Sequence, residues 1–284
     1  MKILVTGSGG FLGTWFRHFA RIPNAEYVFG TTRTGGTGLT LFEDCYRDAA
    51  KLGQADAIIH FASVIPPSFA AADYETVFRK NTEMMANLTD FALTGGVGKF
   101  VYISSFGSMD HPDMLDIKDY YTLSKTTGEL FCNMLSARGI ESISLRISAP
   151  YGEFQRTRTV INLFIDQALK QQKLQVYGTG ARTQNFTYAG DIIRAVELCF
   201  EHHLEGEVCN IVAEKSTSML ELAETVNELT HNPAGIAVGE REDPQESYRA
   251  QYDFSDAAKA IGYRPVFSLR EGLERRIRWQ KGIS

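Results

Sequence analysis

Three residues between positions 105 and 125 have side chains suited to acid–base chemistry on an oxygen atom. Tyr121 and Lys125 are four residues apart, so they share one face of a helix. A tyrosine with a pKa of about 10 is a poor base at neutral pH, and a nearby lysine ammonium lowers that pKa by favouring the phenolate. Ser105 ends an apolar run, where its hydroxyl could hydrogen-bond the same substrate oxygen. These residues predict proton transfer at a hydroxyl or carbonyl group.

A glycine-rich segment near the start of the chain has the spacing of a phosphate-binding turn. Gly7, Gly10 and Gly13 follow an apolar run at residues 3–5 and open a helix predicted from about Phe11. Backbone N–H groups and the helix dipole at such a turn form an anion site suited to a pyrophosphate. A glycine turn without a ligand is the alternative. The position directly after the first strand favours a dinucleotide site.

The elements that must position these residues alternate along the first half of the chain. Short apolar runs at 3–5, 27–30, 57–62, 100–103 and 143–147 are separated by stretches with helical periodicity, including 73–93 and 120–137. This alternation predicts a Rossmann-like, doubly wound α/β fold with a parallel sheet. We expect a dinucleotide-binding domain at 1–152 and a smaller α/β substrate-binding lobe at 153–284, with an interleaved boundary.

Composition excludes several classes of protein. Lys and Arg number 29 against 34 Asp and Glu, a net charge of −5, which argues against nucleic acid as a partner. No apolar run approaches the length of about 18 residues that spans a bilayer, and the first residues do not resemble a signal peptide. We therefore expect a cytoplasmic protein that acts on a small molecule. Its four cysteines lack metal-ligand spacing and predict reduced thiols and no metal site.

These features, in this order, resemble the extended short-chain dehydrogenase/reductase family, and within it the NAD-dependent epimerase/dehydratase group of nucleotide-sugar enzymes. Further matches cover nearly the whole chain. They comprise segments 56–63, 145–152, 176–191 and 255–273, together with Asn81.

The resemblance implies a set of site residues. Ser105, Tyr121 and Lys125 would be catalytic, with Ser104 as the alternative serine. Asn81 would make structural hydrogen bonds. His60 would lie beside the cofactor, although it could simply be packed at a strand end. The implied cofactor-binding residues are Gly7, Gly10, Phe11, Leu12, Gly13, Thr31, Arg33, His60, Ala62, Tyr121, Lys125 and Ile147.

The end of the second predicted strand bears on the choice of cofactor. NAD-using members carry an acidic residue there that binds the adenosine ribose, but this chain has Thr31. Arg33 and neighbouring hydroxyls suit a 2′-phosphate, which favours NADP over NAD. The alternative is that Arg33 is a solvated loop charge and NAD binds through backbone contacts.

The substrate-binding positions match the family in part. Gln184 occupies the position of an arginine that grips the substrate diphosphate, Arg182 could replace that arginine, and Arg241 matches a second family arginine. Phe106 and Gly107 follow Ser105 where dehydratases carry an acidic pair, so dehydration is disfavoured.

Three functions follow from these positions. We expect hydride transfer at a carbinol or ketone carbon of a nucleotide-activated sugar, as an epimerase or ketoreductase. The first alternative is an NADPH-dependent reductase or dehydrogenase of a small carbonyl compound or alcohol. The second is a non-catalytic NADP-sensing module. The resemblance also implies a homodimer formed by the helices predicted at 73–93 and 120–137, with Met85, Phe131 and Leu135 available for a second face.

Overall fold

The computed structural model describes residues 1–31, 40–41, 53–68, 71–106, 117 and 119–283. The chain forms two compact units and passes between them several times. The first unit comprises Met1–Ile147, Ile193–Ile211 and Phe254–Tyr263. The second unit comprises Ser148–Ile192, Val212–Asp253 and Arg264–Ser284.

Strands and helices alternate through the first half of the chain. The strands are β1 (Lys2–Thr6), β2 (Glu26–Thr31), β3 (Thr40–Leu41), β4 (Ala57–His60), β5 (Lys99–Ser105), β6 (Glu141–Ile147), β7 (Leu174–Val176), β8 (Thr183–Gln184), β9 (Glu207–Ile211), β10 (Thr217–Ser218) and β11 (Ile236–Val238). The α-helices are α1 (Phe11–Phe19), α2 (Arg79–Gly95), α3 (Tyr120–Ala137), α4 (Val160–Leu169), α5 (Ala189–Leu198), α6 (Met219–Thr230), α7 (Ser255–Ile261) and α8 (Leu269–Gln280). A π-helical turn, Tyr74–Phe78, precedes α2.

The first unit is built on a parallel sheet. Among the described residues this sheet has the strand order β3-β2-β1-β4-β5-β6-β9. Its central strands are apolar and buried, as expected for parallel strands covered on both faces. The strand order reverses between β1 and β4, where ligands bind in doubly wound folds. The predicted Rossmann-like fold is confirmed.

The packing of α2 and α3 corrects one expectation. Met85 on α2 and Leu135 on α3 are 2% and 0% exposed and belong to the hydrophobic core with Leu4, Ile58 and Phe100. Neither side chain is available for a second, dimer-forming face, because the helical stripes that carry them are turned towards the sheet. Phe131 is only partly buried and remains a candidate for that role.

The second unit contains two small sheets, with β7 parallel to β11 and β8 antiparallel to β10. Tyr151 and Tyr188 form its aromatic centre, 5.6 Å apart between ring centroids. A Cβ atom at Gly272 would lie 2.1 Å from the Tyr151 hydroxyl, so α8 can pack here only through a glycine. α6 and α8 both begin with capping boxes, which stabilise helix starts.

Two further findings bear on the expectations from composition. Cys132, Cys199 and Cys209 are buried free thiols, and Cys45 lies outside the described residues. In the part of the chain that the structure describes, every helix is too short or too polar to span a bilayer.

Candidate functional site

The glycine loop lies at the carboxyl end of β1. Gly7 has φ 67°, and a Cβ atom on it would lie 2.5 Å from the Ala62 backbone nitrogen. A Cβ atom on Gly13 would lie 2.2 Å from the Gly7 carbonyl oxygen. Glycine is therefore required at both positions for the close approach of α1 and of the segment that follows β4.

The start of α1 has the chemistry of an anion site. Its N-cap, Gly10, has no side chain to cap the helix, and the first turn contains no acidic residue. The N–H groups of that first turn, around Phe11 and Leu12, therefore remain available to a ligand. A Cβ atom on the exposed Gly10 would meet only the Gly7 carbonyl oxygen, at 3.2 Å. Ser8 fastens the loop to β2, because both its amide and its hydroxyl donate to the Gly30 carbonyl.

Tyr121 and Ser105 meet at the carboxyl end of β5. The Tyr121 side chain is buried, and burial raises its pKa to about 12, while hydrogen bonding with the Ser105 side chain acts in the opposite direction. The phenol is therefore protonated at neutral pH. The structure places the predicted tyrosine and serine in contact, from α3 and β5.

Lys125 lies one helical turn beyond Tyr121. Its ammonium donates to the Ile103 carbonyl oxygen at 2.7 Å and lies 4.8 Å from the centre of the Tyr102 ring. Burial lowers the pKa of Lys125 to about 7, and the charge of Glu129 opposes that change. The sequence predicted a lowered pKa for Tyr121, but in this structure burial raises it, and the Lys125 ammonium donates to the Ile103 carbonyl.

A buried ion pair next to this group was not anticipated from the sequence. The Glu129 carboxylate accepts two hydrogen bonds from the Arg146 guanidinium, at 2.8 and 2.7 Å, and a third from the Ser104 hydroxyl at 2.6 Å. The Ser104 hydroxyl thus donates to Glu129, whereas the Ser105 side chain is hydrogen-bonded with Tyr121. The spacing of Glu129, four residues after Lys125, was the available signal.

His60 and Asn81 both form hydrogen bonds within the first unit. His60 is 2% exposed, its Nδ1 lies 2.7 Å from the Thr6 hydroxyl, and its ring stacks on Tyr102. Burial, together with the charge of Lys125, lowers its pKa to about 3, so it is neutral. Asn81 forms hydrogen bonds with both backbone groups of Val64 and with the Ser124 hydroxyl, joining the segment after β4 to α2 and α3.

The remaining cofactor-binding candidates lie at strand ends. Thr31 ends β2 and its backbone pairs with Leu41, but its side chain is not described. Arg33 lies outside the described residues. Ile147 ends β6 and pairs with Ile211.

The substrate-binding candidates all lie in the second unit. Arg182 is ion-paired through Nε to the Asp243 carboxylate at 2.8 Å. Arg241 donates to the Tyr177 hydroxyl at 3.1 Å and stacks over that ring. Gln184 is a β8 residue that pairs with β10. Arg182 is therefore partly neutralised by Asp243, whereas Arg241 has an aromatic partner.

A glycine loop after the first strand of a parallel sheet, with a buried Tyr–Lys pair at the end of a nearby strand, defines the chain as a dinucleotide-binding α/β protein of the short-chain dehydrogenase type. The NAD dependent epimerase/dehydratase family matches residues 3–212. The chain belongs to this family and is an enzyme of the extended short-chain dehydrogenase/reductase type. The resemblance found in the sequence is confirmed.

Individual relatives are similar over nearly their full length. The chain is 31% identical to a putative UDP-glucose 4-epimerase of Methanocaldococcus jannaschii, over 98% of each chain. It is 25% identical to a dTDP-glucose 4,6-dehydratase of Streptomyces antibioticus, over 99% of this chain and 92% of that protein. The fold matches UDP-glucuronic acid 4-epimerase from Bacillus cereus, in complex with UDP-glucuronic acid and NAD, with a TM-score of 0.84, 24% identity and complete coverage of both chains.

The residues at the carboxyl ends of β1 and β4 fit a dinucleotide. The turn around Gly10 leaves space that any side chain would reduce, and the helix start offers N–H donors without a competing acid. Pyrophosphate oxygens are the acceptors that such donors prefer.

Proposed function

We propose that this protein catalyses NAD(P)-dependent hydride transfer at a carbinol or ketone carbon of a nucleotide-activated sugar, as an epimerase or ketoreductase. The observation that carries the proposal is the buried Tyr121 phenol, hydrogen-bonded with Ser105 and one helical turn from buried Lys125. Relatives named as UDP-glucose and UDP-glucuronic acid epimerases support the substrate class.

The chemistry assigns a separate role to each polar side chain. The dinucleotide, when bound, accepts or supplies the hydride. Tyr121, protonated at neutral pH, donates the proton of its hydroxyl to a carbonyl oxygen and takes it back when an alcohol is oxidised. The Ser105 hydroxyl orients that oxygen. Lys125, whose pKa of about 7 is close to neutrality, supplies positive charge when the phenolate forms.

The departures from the family pattern limit the reaction type. Phe106, which is 5% exposed, follows Ser105 where dehydratases carry the first residue of an acidic pair. An apolar buried side chain cannot act as an acid or base for water elimination. We therefore propose epimerisation or carbonyl reduction, and not the dehydration named for the Streptomyces relative.

A second function is favoured by one observation in the second unit. Arg182 forms an ion pair with Asp243, and Gln184 is uncharged. These two positions would therefore bind a substrate diphosphate less strongly than the arginine of the family pattern. This favours a small aldehyde, ketone or alcohol as the alternative substrate class. A module that binds NADP without turnover would have no use for the contact between Tyr121 and Ser105.

A substrate panel distinguishes these functions. The protein is incubated with NAD or NADPH and a series of UDP- and dTDP-hexoses, and the sugars are followed by proton NMR. Inversion at one ring carbon without net cofactor consumption is expected of an epimerase, and stoichiometric oxidation of NADPH is expected of a ketoreductase. Turnover of small carbonyl compounds alone would move the function to the alternative, and cofactor binding without any turnover would leave only the binding module.

We propose that the cofactor is NADP in preference to NAD. Arg33→Ala is expected to reduce NADP affinity roughly ten- to hundredfold and to change NAD affinity little, because one charge-assisted contact of about 1.5–3 kcal/mol is lost. Isothermal titration with both dinucleotides measures this. Thr31→Asp is the reciprocal variant, since a carboxylate there binds the ribose diol and repels a phosphate. Equal affinities for both cofactors in all three proteins would contradict the assignment.

We propose a homodimer formed by exposed faces of α2 and α3. Leu130 and Met134, one turn apart on α3, are 67% and 38% exposed. Phe78, in the π-helical turn before α2, and Phe131, on α3, line a groove of about 380 Å³. Exposed apolar side chains of this kind are typical of an association surface.

Leu130→Glu is expected to convert the protein to a monomer of 31.7 kDa, because a carboxylate would have to be buried in the interface. Size-exclusion chromatography with light scattering at micromolar concentration measures the mass. Val266→Glu is the matched control, since Val266 is 63% exposed but lies in the second unit. A wild-type monomer, or a dimer that persists in Leu130→Glu, would refute this surface.

A further inference from the structure

The second unit contains a cavity of about 480 Å³ between the start of α4 and the last turns of α8. Three arginines line it: Arg156 and Arg158 from the segment before α4, and Arg276 from α8. Asp166 is the one acidic residue among its described lining residues, and its carboxylate accepts a hydrogen bond from Gln280 at 2.7 Å. The lining therefore carries an excess of positive charge.

Arg276 is the unusual member of this group, because its side chain is 3% exposed. Its Nη2 donates to the Asn162 side chain at 2.9 Å and to the Gln155 carbonyl at 3.4 Å. Its Nε and Nη1 have no hydrogen-bond partner among the described residues. Burial lowers the pKa of Arg276, although the charges of Asp166 and Glu153 act in the opposite direction. Burying a cation with unpartnered N–H groups costs free energy, because the hydrogen bonds that those groups made to water are not replaced.

The surroundings of Arg276 indicate which class of ligand could accept hydrogen bonds from its unpartnered nitrogens. Guanidinium groups bind phosphate oxygens through charge-assisted, often paired hydrogen bonds. The volume lies in the range that holds small organic ligands. The Trp279 ring, 4.8 Å from the Arg276 guanidinium, and the Leu163 side chain add apolar walls suited to the organic part of such a molecule.

We propose that this cavity binds a small organic phosphate. The residues assigned above to the substrate, Arg182, Gln184 and Arg241, do not line the cavity, so the site is an addition to the proposed function. Arg156 and Arg158 attract the phosphate from solvent, and Arg276 pairs with it at the buried side. The site binds its ligand without a covalent step.

Tryptophan fluorescence gives a readout that is local to this site. The chain has two tryptophans, Trp15 and Trp279. A full-length Trp15→Phe protein leaves Trp279 as the reporter in the cavity wall. We expect glucose 1-phosphate to change its fluorescence saturably, with an affinity at least tenfold higher than that of inorganic phosphate. Citrate, a carboxylate anion, is expected to give no saturable change.

Variants locate the binding event without disturbing the core. Arg156→Ala with Arg158→Ala removes two exposed side chains and is expected to lower the affinity for glucose 1-phosphate at least tenfold. Arg278→Ala, an exposed arginine of α8 that does not line the cavity, is expected to leave it unchanged. An absent fluorescence change with glucose 1-phosphate, or equal affinity in the double variant, would overturn the site. Binding of inorganic phosphate or citrate as tight as that of glucose 1-phosphate would overturn the assignment to an organic phosphate.

Discussion

A Tyr121→Phe protein is expected to lose turnover by a factor of about 10² to 10⁴ while binding the dinucleotide with near wild-type affinity. The substitution removes the hydroxyl that exchanges a proton with the substrate, and loss of a general acid–base group has an effect of this size. The glycine loop at the start of α1 is untouched. Steady-state assays on the substrates found in the panel, with calorimetric titration of the cofactor, measure the two quantities separately.

Tyr120→Phe is the matched control for this variant. Tyr120 is the preceding residue on α3 and is 43% exposed, whereas Tyr121 is 7% exposed. The control is expected to behave as wild type. Lys125→Met should differ from both by weakening cofactor binding as well as turnover, since the family lysine reaches the nicotinamide ribose. A folded Tyr121→Phe protein with unchanged turnover would remove Tyr121 from the proposed mechanism.

Glu129→Gln is expected to destabilise the protein by about 3 kcal/mol. Removing one partner of a buried ion pair leaves the other charge poorly compensated, which costs about 3–5 kcal/mol. We expect the lower end of this range, because the Arg146 side chain is 18% exposed and regains some hydration. Urea unfolding measures the change as a lower midpoint at constant slope.

Glu83→Gln provides the comparison for an exposed pair. The Glu83 side chain is 43% exposed and lies 3.3 Å from Arg79, so its loss should cost less than about 0.5 kcal/mol. Glu129→Gln is also expected to slow turnover, since the Glu129 carboxylate holds Ser104, the neighbour of Ser105, against α3. Equal, small losses in the two variants would mean that the pair with Arg146 does not stabilise the first unit.

Local patterns predicted the scaffold well. The apolar runs that become β1, β4, β5 and β6 are buried on both faces. Such strands consist of consecutive apolar residues, so they can be recognised from the sequence. Boundaries were less accurate. The run at 57–62 ends as a strand at His60, because the Ala62 amide donates to the Thr6 hydroxyl and leaves the sheet ladder.

These local patterns could not predict contacts between residues that are far apart in the sequence. Glu129 and Arg146 are 17 positions apart, and neither residue type at its position marks the other as a partner. Met85 and Leu135 were assigned to a dimer face because amphipathic periodicity does not tell which side of a helix meets the sheet. The pKa of Tyr121, about 12, depends on burial, which no spacing reveals.

The sequence by itself determined the class of protein. The glycine spacing, the Tyr121–Lys125 interval and the ordered family motifs are properties of residues close together in the chain, and they identified a dinucleotide-dependent enzyme. Only the tertiary structure decided which serine faces Tyr121, that Glu129 and Arg146 pair beside it, and that two guanidinium nitrogens of the buried Arg276 have no hydrogen-bond partner among the described residues. The reason is physical: burial, desolvation and charge pairing arise between segments that folding brings together from distant positions.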